Sequence, residues 1–114
     1  MIYCKENVRF PTFRPEMYRL FPILDDLFQK WGYSCVITSA NDSSHMGTSA
    51  HYDNSAWDLR TKHIENEGIK TAIINELRDT LGPGYTILFE YPGEVQEHLH
   101  VMITRLRSNN NDQA

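Results

Sequence analysis

Residues 85–91 (YTILFEY) and 98–104 (HLHVMIT) are two short runs rich in aliphatic, aromatic and β-branched residues, joined by a segment that opens on Pro92-Gly93. The pattern predicts a terminal β-hairpin. A sheet of this kind needs a second layer over its apolar face, which limits what the rest of the chain can be. The cover is written just upstream. Residues 65–81 place Ile69, Ala72, Ile73, Leu77 and Leu81 on one helical face, and Gly82-Pro83-Gly84 ends the run. An earlier helical pattern starts at Pro15, a residue suited to a first turn, and continues through Met17, Leu20, Phe21, Leu24, Leu27, Phe28 and Trp31. Pro22 bends or delays that helix, and Gly32 stops it. Residues 33–39 (YSCVITS) and 55–61 (SAWDLRT) read as strands, and residues 40–50 (ANDSSHMGTSA) as a loop. Residues 1–14 read as an extended lead-in. The expected fold class is α+β: a small antiparallel sheet flanked by helices on one side, in a single domain over residues 1–104. The polar segment 105–114 is expected to be a frayed tail.

The whole chain has 114 residues, 40% of them hydrophobic, enough for one core without disulfides. Its formal charge of −4 argues against a general nucleic-acid binder, which needs a positive surface to displace counterions. No apolar run approaches the roughly 20 residues of a membrane span. Residues 1–16 hold no stretch of signal-peptide length, so the chain is expected to be cytoplasmic as synthesised. Cys4 and Cys35 sit in unrelated contexts without a C-x-x-C pattern and read as reduced thiols, which weakens any redox role.

Two clusters carry the chemistry: S49-A-H51-Y-D-N54-S-A56-W-D58, and E97-H98-L-H100 at the mouth of the last strand. They offer imidazoles and carboxylates from distant segments, the donor types of a catalytic zinc site with three protein ligands and one open position. His51 and Asp58 are close enough in the chain for a loop to bring both to one ion. His98 and His100 are two apart in a strand and share a face. Glu97 has the opposite parity and reaches that face only if the chain is irregular before the strand.

The first cluster resembles the S-x-H-x-x-G-x-A-x-D signature of the zinc D-alanyl-D-alanine peptidases, matching at Ser49, His51, Ala56 and Asp58. The second resembles that family's E-x-x-H at Glu97 and His100. H-x-H followed by valine, and D-L-R-T after the first motif, look like small phage-encoded endolysin-type members. The likeness covers residues 33–104. It implies a hedgehog/DD-peptidase-like fold and one zinc ion, with His51, Asp58 and His100 as ligands and Glu97 as general base. The implied substrate is the peptidoglycan stem peptide of bacterial cell walls. Ser49, His98 and Arg60 are candidate substrate-binding residues. A phage-encoded hydrolase without a leader would depend on a holin for release, and a monomer is expected. The sequence departs from the family at Asn54, where the motif has glycine. It departs again in ITSAND, where Ala40, Asn41 and Asp42 replace an arginine that steadies the substrate carbonyl.

Blander readings stand beside these. His45 and His63 read as ordinary surface or core histidines. Glu90 competes with Glu97 as base. Ser49 lacks a basic partner at nucleophile spacing, and Trp57 reads as packing. The alternative function is a non-catalytic zinc-containing domain that binds a peptide or protein partner.

Overall fold

The computed structural model describes residues 1–6, 8, 15–40 and 55–104. Among the described residues five strands and three α-helices follow in the order β1 (Ile2–Cys4), α1 (Pro15–Tyr18), α2 (Leu20–Lys30), β2 (Cys35–Ser39), β3 (Ala56–Arg60), α3 (Glu67–Leu81), β4 (Tyr85–Glu90) and β5 (His98–Ile103), with a short 3-10 turn at Gly82–Gly84. The sheet order is β1-β2-β3-β5-β4. The predicted hairpin is β4–β5, in register from Tyr85↔Ile103 to Glu90↔His98. The expectation of an antiparallel sheet is corrected to a mixed one, because β1 pairs parallel with β2. The helical crossover between those strands allows it: a parallel neighbour needs a dozen or more connecting residues, and α1 and α2 lie in that connection.

Pro15 opens α1, and Pro22 is the third residue of α2, where a missing backbone donor costs least. The proline therefore divides the predicted helix at Arg19 without breaking its apolar stripe. Gly32, at φ 86°, ends α2: its amide donates to the Gln29 carbonyl (2.9 Å) and the Tyr33 amide to that of Phe28 (3.0 Å). This paired closure requires a left-handed residue at the position glycine fills. Asn66 caps α3, its side chain accepting from the Ile69 amide at 3.0 Å. Asn66→Ala should lower stability by about 1 kcal/mol and Asn66→Gly by only a few tenths, read from urea midpoints. Equal losses in the two variants would remove the side chain from the account.

Alternation sorts the sheet into two faces. Cys35, Ile37, Trp57, Leu59, Ile87, Leu99 and Val101 join Leu20, Leu24, Leu27 and Phe28 of α2 and Ile73, Ile74 and Leu77 of α3 in one buried cluster. Trp57 is fully buried, with the Phe21 ring 4.8 Å from its own, as its packing role predicted. The face of α3 is rotated from the one expected: Lys70, Ile73, Ile74 and Leu77 are buried, whereas Ile69, Ala72 and Leu81 are half-buried. Cys4 and Cys35 are both unbridged. Burial, with the nearby Asp25 charge, pushes the Cys35 thiol up to about 12, far from a reactive thiolate. Among the described residues no helix is long and apolar enough to cross a membrane.

Candidate active site

The polar residues of β3, β4 and β5 alternate away from the core and form two rows across the other sheet face. One row runs Arg60, His98, Glu90; the next runs Asp58, His100, Leu88. His98 and His100 share this face because they are two apart on β5. The antiparallel register brings Asp58 beside His100, so that His100 Nδ1 lies 2.9 Å from Asp58 Oδ1. On the other side of Asp58 the pairing slips: Ile37 meets Leu59, yet Ser39 meets Asp58. Thr38 is the extra residue, and such a bulge twists a strand and re-aims its neighbours.

His98 sits between two oxygens. Its Nδ1 is 2.7 Å from the Gln96 carbonyl oxygen and its Nε2 is 2.8 Å from Glu90 Oε1. Asp58 Oδ1 is 3.7 Å from the same Nε2. The Tyr91 ring lies 6.1 Å from the imidazole. A cleft of about 280 Å³ opens beside this group, lined by Lys5, Arg60, Lys62, Asp58 and His98 among others.

Glu97 follows the parity the sequence assigned to it. It contributes to the cleft wall, but its carboxylate turns to α3. Lys70 Nζ donates to Oε2 at 2.8 Å, Thr61 Oγ1 to the same oxygen at 2.6 Å, and the Gly93 amide to Oε1 at 2.8 Å. Both side chains of the Lys70–Glu97 pair are 5% exposed. Burial alone pushes the Glu97 carboxyl up, but the bonds from Lys70, Thr61 and Gly93 outweigh it and hold the group at about 2. Burial likewise pulls Lys70 down, and its bonds and charge pairing with Glu97 and then Glu67 outweigh that and raise it. The structure thus brings Asp58, His98, His100 and Glu90 together and joins Glu97 to none of them by a hydrogen bond among the described residues.

A carboxyl held at about 2 in the fold and near 4.5 when unfolded stabilises the protein above pH 4.5, and that contribution disappears as pH falls toward 2. The full difference is about 3 kcal/mol. Urea titrations from pH 6 to pH 2.5 should show wild type losing more stability than Glu97→Gln across that window. Parallel curves for the two proteins would contradict the ion pair.

Ser49, His51, Asn54 and His45 lie outside the described residues. Of the three residues predicted to bind zinc, Asp58 and His100 lie side by side, and carboxylate oxygen and imidazole nitrogen are donor types that suit that ion. Among the described residues no group of three His, Cys, Asp or Glu side chains could hold a metal. His63, read from sequence as an ordinary surface or core histidine, has its Nε2 2.8 Å from the Ser34 carbonyl and its ring edge-on to Tyr33, while its Nδ1 is buried with no hydrogen-bond partner among the described residues. Lys70 was missed, although its spacing with Ile73, Ile74 and Leu77 puts a charge in an apolar helical stripe. No protein-family model, curated protein or solved structure matches the chain.

Proposed function

We propose that the chain is a zinc-dependent peptidase hydrolysing peptide bonds of bacterial cell-wall peptidoglycan stem peptides, of the D-Ala-D-Ala carboxypeptidase or endopeptidase type. The observation that carries the reading is the meeting of Asp58 and His100, 42 residues apart, beside a cleft on the sheet face away from the core. The substrate class comes from the likeness of the two motifs to that peptidase family. Asp58, His100 and His51 would hold the ion. Bound there, zinc supplies carbonyl polarisation and a water acidic enough to attack near neutral pH.

The proton path belongs to the chain. His98 Nδ1–H donates to the Gln96 carbonyl and Nε2 faces Glu90 Oε1 at 2.8 Å, so Nε2 can take a proton from water only when the Glu90 carboxylate swings aside. A proton taken there from the attacking water becomes an N–H facing Glu90 Oε1 at 2.8 Å, so both ring donors have acceptors. The same atom can then return the proton to the leaving amine. Glu97, with three donors on its two oxygens holding its carboxyl at about 2, has little basicity left for this task. It instead ties Gly93, Thr61 and Lys70 to the residue before His98, and so fixes where β5 begins.

One observation favours a second reading, a non-catalytic zinc-containing domain that binds a peptide or protein partner: the family's base position is committed to Lys70. Zinc-loaded protein incubated with defined stem peptides, with products identified by mass, separates the two. The peptidase reading expects a new amine, abolished by a chelator and restored by zinc, and reduced zinc content in His100→Ala after dialysis. Peptide binding without amine release would give the site to the second reading.

A further inference from the structure

β4 ends the sheet, and among the described residues no strand lies along its outer margin. The Thr104 amide donates to the Gly84 carbonyl at 3.0 Å, whereas the Ile103 amide turns the other way, to the Ser55 carbonyl, also at 3.0 Å. Even-numbered residues of β5 therefore bond to β4. This engages the backbone of Thr86, Leu88 and Glu90 and turns that of Ile87 and Phe89 outward. Among the described residues the amides of Ile87 and Phe89 have no hydrogen-bond partner. The Ile87 carbonyl has one, the Arg78 guanidinium at 2.9 Å. Tyr85–Phe89 holds no charge, proline or glycine, the residues that commonly keep a margin from pairing. Leu88, in the middle of the margin, is 42% exposed on the outer face.

α3 flanks the same margin. Its Glu76 side faces α2, where the Trp31 indole donates to Glu76 at 3.0 Å. The opposite side carries Glu67, Thr71, Ile74 and Arg78 at helical spacing, and the bond from Arg78 to Ile87 turns that side toward the edge. The stripe is acidic at one end and basic at the other. The Glu67 side chain is 80% exposed and lies 3.4 Å from Lys70 Nζ, an ammonium already bonded to Glu97 at 2.8 Å. Arg78 is exposed as well.

We propose that a second copy of this chain pairs antiparallel along β4 about a two-fold axis at Leu88, joining two sheets into one. In that register Ile87 meets the partner's Phe89, so the unpaired amides of both copies gain carbonyls. Leu88 meets the partner's Leu88 and loses its exposure. An axis at Ile87 would call on the Tyr85 amide, which already donates to the Gly82 carbonyl, and one at Phe89 would call on Tyr91, whose φ of 53° is not that of a strand. The same axis sets α3 antiparallel to its copy. Arg78 leaves the Ile87 carbonyl to the partner's amide and meets the partner's Glu67, with Thr71 and Ile74 between the two charge pairs. Glu90, bonded to His98, falls opposite the partner's Thr86 and adds no like-charge contact. An unrelated peptide strand would satisfy the amides but brings no matching acid to Arg78, which is why the occupant is a second copy. A dimer departs from the monomer that the family likeness implies, and it is independent of the peptidase reading.

Sedimentation equilibrium of the full chain should show a concentration-dependent dimer. Leu88→Lys, at an exposed position, should raise its dissociation constant about tenfold or more while leaving the circular dichroism of the monomer unchanged. Arg78→Glu and Glu67→Arg should each weaken the dimer about tenfold, and the two together should restore it, because each reversed residue meets the other across the axis. Directly opposed residues that do not share hydrogen bonds lie close enough for a disulfide, so Leu88→Cys in a Cys4→Ser background should cross-link on oxidation and Thr86→Cys should not. The Ile87 and Phe89 amides should exchange more slowly as protein concentration rises, and those of Tyr3 and Cys4 should not. A chain that stays monomeric at every concentration overturns the proposal and leaves the margin to some other strand. So does a dimer that Leu88→Lys leaves intact, or one that the double charge reversal fails to restore.

Discussion

Lys70→Met should lower the unfolding free energy by about 3–5 kcal/mol, the cost typical of leaving one partner of a buried ion pair alone. The substitution keeps the length of the side chain and its packing near the Phe89 ring, whose centroid is 5.9 Å from Nζ. What it removes is the charge facing a carboxylate that is 5% exposed. Adding Glu97→Leu to that variant should recover most of the loss, because a buried pair replaced by apolar groups of similar volume is often neutral or better. The double-mutant cycle by urea denaturation is the measurement. Independent, additive losses in the two single variants would show that the pair is not coupled.

Turnover should fall by roughly two to four orders of magnitude in His98→Gln, the range expected for a lost general base, with zinc content after dialysis unchanged. Glu90→Gln should produce a smaller loss, because the imidazolium would still form but without a charged acceptor at 2.8 Å. Glu97→Gln, assayed well below its melting temperature, should keep turnover within about tenfold of wild type. The order of the three variants decides the assignment. Full activity in His98→Gln together with a collapse in Glu97→Gln would return the base to Glu97, and would require its carboxylate to leave Lys70.

The parts of this fold visible in the sequence are those with local signals. Apolar spacing marks α2 and α3, Gly32 and Gly82-Pro83-Gly84 mark where they stop, and alternation around the Pro92-Gly93 turn marks β4 and β5. β1 was not visible, because three residues at a sheet edge carry no period and their pairing partner is set by tertiary structure. The site divides in the same way. Parity alone puts His98 and His100 on one face and Glu97 on the other, and the register then adds Asp58. The partner that captures Glu97 was hidden because Lys70 belongs to a different element, and only its position within an apolar stripe hinted at burial. Glu90 was named from its nearness in the hairpin. The contact that gives it a role, to His98 Nε2, depends on the register of that hairpin.

The two histidines ride on β5, a strand with a hydrogen-bonded neighbour along both edges. Backbone amides there have no route to solvent through fraying of a sheet margin. Deuterium should therefore enter His98–Ile103 among the slowest positions of the chain, at a rate set by global opening, and enter Ile2–Cys4 much sooner. The spacing between the imidazoles is protected to the same degree, so it should outlast partial loosening at the margins and vanish only with the fold itself.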